Sequence, residues 1–191
     1  MLSIKQLYSV LALSLAATAP ASYADQLQHT VGLSLGQTHI DDASWAGQTN
    51  FGSFAINYEM HNSAWPVSLT ASLYAAGDER NQNNVETTDV LGGLQIGVKK
   101  YWQLNDSQWQ PFLSGGINFA TAEKSTKTGN TSYKQSKNRT SYYVGTGILW
   151  RINASFEAGL DLRYTHVDMT LFEEKVDAGG LFTGISLGYR F

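Results

Sequence analysis

The chain has 191 residues, no cysteine, 15% charged side chains and a formal net charge of −3. That length suits one domain, and without cysteine there are no disulfides or thiolate metal sites. No overall basic field is available to hold phosphates, which argues against nucleic acid as a partner. Mean hydropathy is slightly negative, and no apolar run approaches the roughly 20 residues of a spanning helix. A membrane role would therefore require a closed β-barrel, the other fold that satisfies every backbone polar group in lipid.

The N-terminus reads as a secretory signal peptide over residues 1–24. Lys5 supplies a positive start, residues 10–17 an apolar stretch, and Ser22-Tyr23-Ala24 small residues at the cleavage positions. An anchor helix is the alternative, but the run is short and is followed by Pro20. The barrel domain is then expected over residues 25–191.

From there the chain shows eight segments with a period of two, the signature of strands. They cover residues 26–37, 51–60, 65–76, 90–102, 109–121, 140–152, 156–166 and 181–191. In the first, Val31, Leu33 and Leu35 alternate with Gly32, Ser34 and Gly36; in the second, Phe54, Ile56 and Tyr58 alternate with Ala55, Asn57 and Glu59. The third sets Leu69, Ala71 and Leu73 against Ser68, Thr70, Ser72 and Tyr74, and the fourth sets Leu94, Ile96 and Val98 against Gly93, Gln95, Gly97 and Lys99. The fifth sets Leu113, Ile117 and Phe119 against Ser114, Gly116 and Asn118, and the sixth sets Val144, Ile148 and Trp150 against Gly145, Gly147 and Arg151. The last two set Leu160, Leu162 and Tyr164 against Gly159, Asp161 and Arg163, and Ile185, Leu187 and Tyr189 against Ser186, Gly188 and Arg190. Segments of about 10–12 residues match the length that crosses a tilted bilayer.

The polar face is small enough to fill a narrow eight-stranded bore. The apolar face is aliphatic at mid-strand, with Trp65, Trp102, Trp109, Trp150, Tyr189 and Phe191 at one set of ends, as in an interfacial aromatic girdle. The expectation is an all-β fold, an eight-stranded antiparallel up-and-down transmembrane β-barrel with its apolar face toward lipid. A secreted soluble barrel of the lipocalin type is the alternative; it would have to bury the charged face or expose eight apolar stripes. Connections alternate between long (38–50, 77–89, 122–139, 167–179) and short (61–64, 103–108, 153–154). This predicts four long extracellular loops, with the short turns and both termini in the periplasm.

The ending Leu187-Gly188-Tyr189-Arg190-Phe191, with Tyr189 and Phe191 as its aromatics, resembles the C-terminal signal read by the barrel-assembly machinery of Gram-negative bacteria. Ser186 stands where that signal often has glycine. With the eight-segment pattern, the chain resembles the small outer-membrane barrels of the OmpX, Ail, opacity-protein and OmpA-barrel group, and Asp161-Leu162-Arg163-Tyr164 adds to the likeness. The resemblance implies an integral outer-membrane protein in contact with lipid and lipopolysaccharide, with no cofactor and a host or cell-surface ligand as a further partner.

Two groups of residues stand out as candidate sites. Glu59, Lys99, Arg151, Glu157, Asp161, Arg163 and Arg190 fall on the bore face and nearly cancel in charge. Buried ions need partners, so they are expected to form an ion network that plugs the bore, with Asp161 and Arg163 apart from the rest. Alanine at Glu157 or Arg151 is expected to lower stability. The second group, Lys124, Lys127, Lys134, Lys137 and Arg139, makes the third long connection basic and suits contact with lipopolysaccharide phosphates or an acidic glycan. A small channel for small or apolar solutes is the second functional reading. A lipid A-modifying enzyme is the third, because His166-Val167-Asp168 resembles the His-x-Ser pair of lipid A deacylases with aspartate in place of the nucleophile. No catalytic, cofactor or metal site is expected, since His29, His39, His61 and His166 lack ligand spacing.

Overall fold

A computed structural model describes residues 27–40, 49–82, 85–104, 107–128, 131–171 and 174–191. The segment read as a signal peptide lies outside the described residues. Eight strands close a barrel: β1 (Leu27–Ile40), β2 (Asn50–Asn62), β3 (Ser68–Gln82), β4 (Val85–Tyr101), β5 (Trp109–Thr128), β6 (Thr131–Arg151), β7 (Phe156–His166) and β10 (Gly180–Arg190). β8 (Asp168–Leu171) and β9 (Glu174–Asp177) form a separate two-stranded hairpin between β7 and β10. Each barrel strand pairs antiparallel with its chain neighbour, and β1 closes on β10.

Register places like with like. Leu187, Leu33, Ile56, Leu73, Leu94 and Phe119 are successive cross-strand partners on the outer wall. The neighbouring row, Ser186, Ser34, Ala55, Tyr74, Gly93 and Ala120, faces the bore. Leu33, Ile56, Leu162 and Leu187 are 42–61% exposed, whereas Asp161 is 7% exposed. A water-soluble fold reverses that distribution; here the outward apolar belt fits lipid and the polar row fills the axis. At the end carrying the short turns, Trp102, Trp109, Trp150, Phe156, Tyr189 and Phe191 all stand exposed. Trp109 and Trp150 stack across β5 and β6 with centroids 5.9 Å apart.

Two expectations are corrected. First, residues 77–89 and 122–139 are mostly paired strand. The β3–β4 ladder runs to Gln82↔Val85, and the β5–β6 ladder runs to Thr128↔Thr131. These stretches are polar on both faces, so they lack an amphipathic period. Their threonines (Thr87, Thr88, Thr121, Thr126) still favour extended backbone. With 20 and 21 residues, β5 and β6 are about twice the length needed to cross a bilayer. β2 leaves β3 at Gly52↔Gly77, and β7 leaves β6 at His166↔Tyr142. Beyond those points β3 to β6 continue as a four-stranded arm past the barrel rim. Residues 167–179 contain the β8–β9 hairpin, and residues 41–48 of the first long connection lie outside the described residues.

Second, the bore is not polar throughout. Its arm-side end is packed with Ile40, Phe51, Ala76, Leu91, Ala120, Ala122, Val167 and Ala178, all 2% exposed or less. Ile40, Val167 and Ala178 lie in stretches read as loop, which hid their inward position.

Candidate functional site: the bore and its two rims

The bore is built in layers. At the turn end, Glu59 on β2 accepts from Lys99 on β4 at 3.2 Å and from the Tyr101 hydroxyl. Glu157 on β7 pairs with Arg190 on β10. Arg151 on β6 faces the same vestibule, a cavity of about 220 Å³ that opens at this end. It is the register partner of Glu157 but forms no ion pair among the described residues.

The middle layer centres on Arg163 of β7. Its guanidinium donates to Asp161 at 2.6 Å, to Gln95 Oε1 at 2.8 Å and to Ser72 Oγ at 3.4 Å. Ser72 donates to Asn57 Oδ1 at 2.7 Å, and Asn57 donates to Ser34 Oγ at 2.8 Å. This chain spans the bore from β7 to β1. The guanidinium also lies about 6 Å from the ring centres of Tyr143 and Phe182, close enough for a cation–π contribution. Arginine suits this place because its rigid fork serves several acceptors at once. Asp161 and Arg163 pair with each other, and the turn-end ions Glu59, Lys99, Glu157 and Arg190 pair among themselves.

Glycine makes room for the large inward side chains. A Cβ on Gly97 would lie 2.5 Å from the Tyr143 hydroxyl oxygen, and one on Gly147 would lie 2.6 Å from the Phe112 ring. Alternation alone gave the inward parity of Gln95, Asn57 and Ser72, but it did not show that they join Arg163 into one network.

At the arm end a further ion cluster was missed because it lay in presumed loop. Asp78 and Asp89 are directly opposed across β3 and β4, and Arg80 bridges both. The i, i+2 spacing of Asp78 and Arg80 was the available signal.

The five basic arm residues are not equivalent. Lys134 pairs with Glu123 at 2.6 Å, Lys127 lies 3.8 Å from Glu86, and Lys124 is the inward register partner of Asp89. Lys137 and Arg139 are exposed, share one face of β6 and make no ion pair among the described residues.

Tyr189 and Phe191 lie on the outer wall at the turn end. Phe191 exchanges two backbone hydrogen bonds with His29 of β1 and stacks on its ring at 5.7 Å.

His166 sits at the arm-side end of β7, past the last belt residues Tyr164 and Leu181. Its Nδ1 meets Asp177 at 3.0 Å and its Nε2 meets Asp168 at 3.1 Å, with Tyr142 beside the ring. Burial works to lower its pKa, but the charges of Asp177 and Asp168 and the hydrogen bonds to both raise it above the ordinary histidine value. Asp177 also accepts from the amides of Val167 and Gly179. One ligand atom from each of His166, Asp168 and Asp177 lies within 4.8 Å of the others, so the trio could hold a divalent cation. Spacing of the histidines alone missed it, because Asp177 returns to His166 only through the β8–β9 hairpin.

Residues 8–191 match the outer membrane protein beta-barrel domain family, which is nearly the whole chain. The chain belongs to that family. Among solved structures, this outer-membrane barrel is similar to Ail, the attachment invasion locus protein of Yersinia pestis, in complex with the heparin analogue sucrose octasulfate. That likeness has a TM-score of 0.56 and 14% identity over 87% of this chain and 98% of that one. Neisserial surface protein A gives 0.58 and 12%, over 86% and 95% of the two chains. A major outer membrane protein from Thermus thermophilus gives 0.59 and 9%, over 86% and 99%. No curated protein sequence matches the chain. At these identities the neighbours show a shared barrel fold. With the family match, they place the protein in the outer membrane.

Proposed function

We propose that this barrel is a non-catalytic surface-interaction protein whose arm binds acidic carbohydrate. The short turns and both termini then face the periplasm, residues 1–24 are removed on export, and Tyr189 and Phe191 serve as the assembly signal. The observation that carries the reading is the pair Lys137 and Arg139, two residues apart on β6, exposed and without ion-pair partners among the described residues. Residues two apart on a strand project from one face about 7 Å apart, a spacing that suits successive sulfates or phosphates on a sugar. Such contacts are charge-assisted hydrogen bonds. The likeness to Ail, seen with sucrose octasulfate bound, supports the ligand class.

A bore filled by the Arg163 network and capped by the apolar arm-side packing supports a closed barrel over a channel. At the rim, both His166 nitrogens are taken by carboxylates, which leaves neither to activate a hydroxyl. That supports the non-catalytic reading over a lipid A hydrolase.

The test is calorimetric titration of the purified barrel with sucrose octasulfate at low ionic strength. Lys137→Gln/Arg139→Gln should weaken binding about tenfold or more, with a shallower salt dependence. Lys127→Gln, whose cation is already beside Glu86, should change it little. Equal binding by wild type and the double variant would remove the proposal. Lipid A from cells with and without the protein should give the same mass spectrum; a lost or gained acyl chain would restore the enzyme.

A further inference from the structure

Among the described residues, the turn-end vestibule carries a charge imbalance. Glu59, Glu157, Arg151 and Arg190 line one opening, and Lys99 reaches Glu59 from deeper in the bore, so among the described residues three cations meet two acids. Both acids are engaged: Glu59 holds Lys99 and the Tyr101 hydroxyl, and Glu157 holds Arg190. Arg151 is left over. Its Nε is buried and has no hydrogen-bond partner among the described residues, although Glu157 stands opposite it in the β6–β7 register. A buried guanidinium nitrogen without an acceptor is costly, and the fork is shaped for a two-oxygen anion.

The space in front of it is large enough to matter. The vestibule has a volume of about 220 Å³, several times the ~30 Å³ share of a water molecule. Besides Arg151, Arg190, Glu59 and Glu157, the lining includes the hydrogen-bonding side chains of Gln28, His61, Gln103 and Gln110. Gln110 donates to Gln103 at 2.9 Å, which orients these two amides at the mouth.

We propose that this vestibule is a binding site for a small organic carboxylate, with Arg151 as the residue that receives it. One surplus positive charge calls for one negative charge, which a carboxylate carries and a phosphate exceeds at neutral pH. The amide lining suits a short polar tail, such as the last residue of a peptide. The ligand enters from the side of the short turns, so this site is independent of the arm and of the carbohydrate reading above.

The experiment uses the full mature barrel, isotopically labelled and folded in lipid nanodiscs, with three probes: N-acetylglycine, its uncharged amide and inorganic phosphate. The expected result is saturable shifts of the Arg151 Nε–H resonance and the Gln103 and Gln110 side-chain amides with N-acetylglycine, and none with the amide. Arg151→Gln should weaken binding about tenfold or more, read on the glutamine amides. Arg151→Lys should retain part of it, and Lys137→Gln on the arm should leave it unchanged. Backbone spectra confirm that each variant is folded. Saturation that persists within twofold in Arg151→Gln, equal response to the amide, or tighter binding of phosphate would each overturn the assignment.

Discussion

Arg151 and Glu157 stand directly opposite each other on β6 and β7, yet Glu157 gives its carboxylate to Arg190 on the far neighbour, β10. One acid thus sits between two arginines and serves only one. The arrangement separates two residues that sequence parity had treated alike, and their substitutions should differ.

Glu157→Ala leaves two guanidinium groups near each other with no acid between them. Removing one partner of a buried pair costs on the order of 3 kcal/mol. Arg151→Ala removes an unpaired charge and should stay within about 1 kcal/mol of wild type. Urea unfolding of the barrel in lipid measures both. Equal losses would show that Arg151 and Glu157 act as a pair.

Close packing at the bore wall makes a second prediction. A Cβ on Gly147 would come within 2.6 Å of the Phe112 ring and closer still to the Leu160 carbonyl, whereas one on Gly52 meets nothing within 4 Å. Gly147→Ala should cost about 1–3 kcal/mol, as overpacking does. Gly52→Ala should be near neutral in the same unfolding assay.

The barrel was legible because alternation survives wherever one face meets lipid: Leu33, Ile56, Leu160 and Leu187 each mark their strand. It failed where both faces are mostly polar. Thr87, Thr126 and Lys134 carry no hydrophobic period, so the arm looked like loop although its backbone continues the ladder. The site was legible in parity but not in partnership. Glu59, Lys99, Glu157 and Arg190 all point inward by count of two, but which acid takes which base depends on register and stagger across four strands. The His166–Asp177 contact depends on a hairpin of polar residues and left no periodic trace.

That contact is pH-sensitive. The folded pKa of His166 is raised above about 6.5, with Asp177 and Asp168 as the cause after burial is offset. A raised pKa means the contribution is complete below the unfolded value and is lost as pH rises through the folded one. The protection factors of the Val167 and Gly179 amides, which bond Asp177, should fall in a step over that rise once base-catalysed intrinsic exchange is divided out. His166→Gln should abolish the step. A protection factor that stays constant with pH in wild type would contradict the contribution of the His166–Asp177 contact.

Arg163 ties Asp161, Gln95 and Ser72 across the bore. Planar-bilayer recordings of wild type should show no steady conductance. Arg163→Ala removes the crossing and leaves Asp161 unpaired, so it should lower stability and admit ion leakage. An open wild-type channel would contradict the closed bore.

Large apolar side chains face lipid while the polar row lines the axis. The native chain has no cysteine, so single cysteines can be labelled at will. With a fluorophore at Leu33, Ile56, Leu162 or Leu187, bromine on the lipid acyl chains should quench strongly; at Asn57 or Asp161 it should quench weakly. Quenching that is strong at Asp161 and absent at Leu162 would turn the barrel inside out and contradict the account.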